Sequence, residues 1–201
     1  YPLDAGAVVL IEVDGLKDGL DEIAQRIEAT CYRHRARSVR VAKTEAERMK
    51  LWAARKRAFG AIGRISPAYY IQDGVVPRTQ LPGLLRKVGQ VGEKYALRIA
   101  NVFHAGDGNL HPLWLYDETD EEQVRKVVEA GLETLELCVA SGGSVSGEHG
   151  IGLEKRPLMR VQYAEQDLAA MAKVKAAFDP EGLCNPGKIF PAPVGSGETT
   201  S

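Results

Sequence analysis

Apolar positions follow two periods along this chain. Ala7-Val8-Val9-Leu10-Ile11-Glu12-Val13 is a nearly continuous apolar run closed by Asp14-Gly15, the pattern of a buried strand. Leu16, Leu20, Ile23, Ile27 and Cys31 then recur at spacings of three and four, which predicts an amphipathic helix over about 17–34. Ser38-Val39-Arg40-Val41 predicts a short strand. Thr44-Glu45-Ala46-Glu47 has the form of a capping box and predicts a helix running to about Phe59. Val75-Val76, between Gly74 and Pro77, is a short strand at best. Pro82 suits the first turn of a helix whose apolar face is Leu84, Leu85, Val88, Val91 and Tyr95. Residues 98–104 and 109–115 read as two strands around a glycine-rich turn. Thr119-Asp120-Glu121-Glu122 is a second capping box; the helix it opens carries Val124, Val127, Val128, Leu135 and Cys138 on one face and stops at Gly142-Gly143. A Gly/Ser loop covers 141–152, and a last helix over about 165–178 ends before Pro180. The small, polar tail of 191–201 is expected to be disordered. The expected class is α+β, a largely antiparallel sheet with helices on one face.

Length and charge narrow the function. The 201 residues suit one domain. The 26 Lys+Arg against 27 Asp+Glu leave no basic excess for nucleic acid. No apolar stretch approaches the ~18–20 residues of a membrane span. The three cysteines, Cys31, Cys138 and Cys184, form no C-x-x-C pair, so they are read as reduced and the protein as cytoplasmic. No signal peptide is seen. The first residue is Tyr1, not Met, so a longer parent is expected. Many of the 21 glycines gather in two short segments.

The first is His104-Ala105-Gly106-Asp107-Gly108-Asn109-Leu110-His111. Asp-Gly between apolar runs signals a two-residue hairpin turn. Cross-strand partners then sum to 215 and put His104 opposite His111, where two imidazoles can reach one metal ion. Two half-buried histidines bonded to backbone fit the same pattern. The second segment is Ser144-Val145-Ser146-Gly147-Glu148-His149-Gly150-Ile151-Gly152. Its glycines allow close backbone approach to a ligand. Glu148 is a candidate oxygen ligand that would complete a two-His, one-carboxylate site with open positions. His149 would stand beside the ion and take a proton from a bound hydroxyl. A solvated connecting loop is the alternative. His34, beside Arg33 and Arg35, reads as a surface residue.

Three motifs in order, H-A-G-D-G-N-L-H-P, S-G-E-H-G-I-G-x-x-K and F-D-P-E-G-L-C-N-P-G-K, resemble the C-terminal half of FAD-linked 2-hydroxy-acid oxidases. The wider group is the vanillyl-alcohol oxidase/p-cresol methylhydroxylase superfamily. Leu51-Trp52-Ala53-Ala54-Arg55-Lys56 and Arg64-Ile65-Ser66-Pro67-Ala68-Tyr69-Tyr70 add a particular likeness to the flavin subunits of bacterial glycolate oxidases. The resemblance covers about residues 1–190. It implies a substrate or cap domain of ferredoxin-like α+β fold, with the main FAD-binding domain absent from this chain and the chain alone unable to turn over. It implies a divalent ion, often zinc, on His104, His111 and Glu148, a base at His149, a substrate carboxylate on Arg55 and FAD against Asn185. A small 2-hydroxy acid (glycolate, D-lactate or D-2-hydroxyglutarate) would be the substrate. Other oxidase subunits would be partners, with peripheral attachment at the inner membrane through them. Without the family, Arg55 reads as part of a solvated basic face, and 179–187 as ordinary turn chemistry. A flavin-independent metal hydrolase and a non-catalytic interaction module are the readings from other classes.

Overall fold

The computed structural model describes residues 2, 4–16 and 18–191; the expected disordered tail, from 192 onward, lies outside them. The chain divides into two units, 1–62 and 63–201.

The first unit contains α1 (Leu20–Arg33), α2 (Glu45–Lys56) and α3 (Ala58–Ile62). At α2, Thr44 Oγ1 accepts from Glu47 N at 3.2 Å, while Glu47 reaches back to the Lys43 amide at 2.7 Å, one residue earlier than the box predicts. Among its described residues there is no strand, against the expectation for 7–13 and 38–41. An apolar run becomes a strand only when a neighbour completes its ladder. Neither segment has one, and Val8, Val9, Ile11 and Val41 stay exposed.

The second unit is an α+β sandwich. Its strands are β1 (Ala68–Ile71), β2 (Gly74–Val75), β3 (Arg98–His104) and β4 (Asn109–Tyr116). Its helices are α4 (Leu81–Tyr95), α5 (Glu121–Ala140), α6 (Met159–Gln162) and α7 (Glu165–Phe178). All strand pairs are antiparallel. β4 is central: β3 lines one edge, and β1 and then β2 line the other. Leu110 and Trp114 of β4 join Val76, Leu84, Val88, Val91, Val127 and Cys138 in the core under α4 and α5. The alternate residues Asn109, His111, Leu113 and Leu115 are buried too. β4 is thus covered on both faces, which places polar Asn109 and His111 where they need partners.

Asp120, not Thr119, caps α5, accepting from Glu122 N at 3.0 Å and Gln123 N at 3.2 Å. Thr119 Oγ1 instead donates to Asp117. The hairpin register also differs from expectation. His104 pairs with Asn109 and Val102 with His111, so partners sum to 213. The turn takes four residues, 105–108, with Asp107 N donating to His104 O at 3.1 Å. Gly108, at φ +74°, accepts at its carbonyl from Val76 N at 3.0 Å, and a Cβ there would stand 2.1 Å from Val76 O. That contact draws Asp-Gly out of the two-residue turn. A slip of two residues keeps side-chain parity, so both imidazoles remain on one face.

Candidate functional site

Three chain segments meet at the end of the sheet where β3 turns into β4: the hairpin, the loop after α5, and the stretch 72–76 that contains β2. That stretch holds both others. Val75 exchanges backbone bonds with Ser144, at 3.1 and 2.9 Å. Val76 bonds Gly108, as above. Gln72 O faces His111 Nδ1 at 3.3 Å.

The hairpin presents two unlike histidines. His111 is 3% exposed. Burial pushes its imidazole below the ordinary value, against the pull of Gln72 O and Glu148. A carbonyl only accepts, so the Gln72 contact favours a proton on Nδ1, which leaves the Nε2 lone pair directed at Glu148. His104 is exposed and diagonal to it, with ring centroids 5.5 Å apart at 90°.

The glycine loop brings Glu148 to both. Its Oε1 lies 2.9 Å from His111 Nε2 and 4.0 Å from His104 Nε2. One donor atom from each of the three lies within 4.8 Å of the others. A nitrogen lone pair 2.9 Å from a carboxylate oxygen repels it unless a proton or cation is shared. Two imidazole nitrogens and one oxygen suit a borderline divalent ion such as zinc and leave positions open. His149 stacks on His111 with centroids 5.1 Å apart at 12°, and its Nε2 lies 3.6 Å from Glu148 Oε1. It stands beside the three-atom group, as expected.

A cleft of about 270 Å³ opens here, lined by Val75, His104, Asp107, Asn109, Gly147 and Glu148. Asn109 is 6% exposed, and its Oδ1 has no partner among the described residues. Gly147 packs flat against that amide; a Cβ would sit 2.7 Å from Asn109 Cγ. A larger cleft of about 460 Å³, by Ser66, Tyr95, Arg98 and Tyr116, holds none of the candidate residues.

Two candidates are not members of this three-residue group. Arg55 is on α2 in the first unit, its guanidinium 5.7 Å from the centre of the Phe59 ring. Asn185 sits exposed in its own turn at φ +48°, its Oδ1 accepting from Lys188 Nζ at 3.1 Å.

Sequence reasoning missed Asp73 and Lys155. Asp73 is fully buried and accepts from Ser146 Oγ, from the amides of Gly147, Glu148 and His149, and from Lys155 Nζ. Burial alone would raise its carboxyl; these donors outweigh it and hold the group well below the usual carboxylate range. Lys155 is itself buried and also donates to Asp73 O at 2.8 Å. The local signals were Asp73-Gly74 before two valines, which reads as a turn, and Lys155 as the last residue of the second motif.

The whole chain bears family likeness. Residues 1–189 match the family described as FAD linked oxidases, C-terminal domain. The chain is 49% identical to glycolate oxidase subunit GlcD of Escherichia coli K12, over 95% of this chain and 38% of that protein. It is 37% identical to glycolate oxidase subunit GlcD of Bacillus subtilis, over 94% of this chain and 40% of that one. A D-lactate dehydrogenase of Anaerostipes hadrus is 30% identical, over 92% and 40%. The chain therefore spans about two fifths of the length of these relatives. No helix among the described residues is long and apolar enough to cross a membrane.

Proposed function

We propose, given that the chain belongs to the family of FAD-linked oxidase C-terminal domains, that it is the substrate-side domain of an FAD-dependent, metal-assisted 2-hydroxy-acid oxidase, with glycolate the first candidate substrate. The observation that carries this is the convergence of His104, His111 and Glu148 at the edge of an open cleft with His149 alongside.

His104 Nε2, His111 Nε2 and Glu148 Oε1 are the atoms that would hold a divalent ion. When bound, such an ion supplies positive charge that lowers a substrate hydroxyl's pKa, and FAD accepts the hydride. His149 Nε2 takes the hydroxyl proton. It is close enough to feel the same charge yet is not part of the ligand set. With an ion bound, Gln72 O would accept the Nδ1 proton of His111 and leave Nε2 free as the ligand atom. Arg55, on the family resemblance, pairs the substrate carboxylate in a bidentate fork, and Asn185 lies against the flavin. Other oxidase subunits are the proposed partners, and through them peripheral attachment at the inner membrane is proposed.

The test uses the full-length flavoprotein. His149→Ala should lower kcat on glycolate by ~100-fold or more, with bound metal unchanged. Near wild-type turnover refutes the base. Purified protein without stoichiometric metal would favour an interaction module instead, and ester or amide turnover without flavin a hydrolase. A second substrate reading, D-lactate, is favoured by the D-lactate dehydrogenases among the relatives. Comparing kcat/KM for glycolate and D-lactate decides between them.

A further inference from the structure

We propose that Asp73 is a positioning residue of this site: it sets where Glu148 and His149 stand without touching ligand or substrate. The inference rests on the metal reading above. Asp73 points into the protein, not into the cleft, and its oxygens are saturated by donors. Ser146 Oγ lies at 2.7 Å, and the amides of Gly147, Glu148 and His149 at 3.0, 3.1 and 2.8 Å. Lys155 Nζ lies at 3.3 Å. Three successive backbone N–H groups converging on one anion form a nest. Here the anion is a side chain from 73 to 76 residues earlier in the chain, so the nest serves as a clamp. Ser146 Oγ extends it by accepting from Gly150 N at 2.8 Å.

The clamp grips the backbone of Gly147 and Glu148, which line the cleft, and of His149, which stands beside Glu148. Its neighbour Gln72 orients the His111 ring. Residues 72 and 73 therefore aim three of the four candidate groups, one through a main-chain carbonyl and two through a carboxylate. A metal site tolerates ligand displacements of only about 0.5 Å. A loop with glycines at 147, 150 and 152 has no stiffness of its own to meet that limit. An amide at position 73 would turn an N–H₂ group toward donors and release part of the nest.

The experiment measures Zn²⁺ affinity by chelator competition on the full-length holoprotein. Asp73→Asn should weaken binding by roughly 10- to 100-fold. In a Glu148→Gln background the same change should add less than about twofold, because its effect passes through Glu148. Lys155→Met removes a buried partner and lowers stability, yet leaves the nest amides on Asp73; its Zn²⁺ affinity should stay within about twofold of wild type. If Asp73→Asn does not fold, Ser146→Ala removes a single donor and should cost about threefold. The proposal is overturned if Asp73→Asn binds like wild type, if its loss persists undiminished without Glu148, or if Lys155→Met loses affinity equally. Wild-type protein that takes up no Zn²⁺ sinks the metal reading instead. Amide exchange then decides the clamp alone: Asp73→Asn must accelerate exchange at 147–149 while β3 and β4 stay protected.

Discussion

The hairpin at 104–111 and the loop at 141–152 look alike on paper. Each is short, glycine-rich and carries one or two imidazoles. They are held by different means. The hairpin hangs between β3 and β4, whose ladder bonds belong to the backbone and do not titrate. The loop has one bridge, Val75 to Ser144, a bond from Val145 N to Gln162 Oε1 at 2.9 Å, and then the Asp73 carboxylate under 146–149. Both are anchored on the same few residues, 72–76, so each candidate ligand is referred to a common frame. A site assembled from two flexible-looking segments can be rigid when a third segment ties each of them down.

The largest effects should come from removing that frame. Gly143→Ala puts a Cβ 1.9 Å from Val75 O, and Gly108→Ala puts one 2.1 Å from Val76 O. Each should cost upward of ~3 kcal/mol in denaturant unfolding, because backbone must move. Gly150→Ala shares the positive φ of Gly108 but meets nothing within 4 Å, so about 1 kcal/mol is expected. Equal costs at all three would mean the frame is not what holds the loops.

Acid should separate the loops next. Burial lowers the His111 proton affinity, so the unfolded chain binds the proton more tightly. Stability therefore falls as pH drops below about 6.5. Asp73 is depressed as a carboxylate, so its contribution is complete above about pH 4 and drains as pH falls further. Unfolding free energy against pH in metal-free protein should show both limbs. His111→Gln removes the first and Asp73→Asn the second.

The two histidines sharpen the hairpin side. His111→Ala empties a buried position and leaves Gln72 O unpaired, for roughly 1–3 kcal/mol of stability. His104→Ala, at an exposed ring, should cost less than about 0.5 kcal/mol while still weakening metal uptake. Comparable stability losses would contradict the burial difference. The smallest effect is a labelling contrast. Cys138 lies beneath Gly74, and burial pushes its thiol up to about 12, whereas Cys184 is exposed. Iodoacetamide at mild pH should modify Cys184 and spare Cys138 until the 72–76 stretch opens.

Much of the second unit was written locally. Helical spacing in 81–95 and 121–140, the strand pair at 98–116 and the stop at Gly142 needed only neighbours in sequence. The candidate ligands were legible because His104, His111 and Glu148 sit in two glycine-rich segments that also carry the family resemblance. The early apolar runs misled, since strand formation depends on a partner that a run does not contain. The two-residue error in register came from Val76 capturing Gly108.

What sequence alone determined here was which chemistry the chain carries and which faces of its helices and strands are apolar, because periodicity and residue type are local properties. Tertiary structure alone decided how that chemistry is aimed. The turn length, the His111 tautomer and the grip of Asp73 on a loop more than seventy residues away all arise from contacts between distant segments. Buried polar groups must find partners wherever the fold supplies them, and no local pattern records which ones those are.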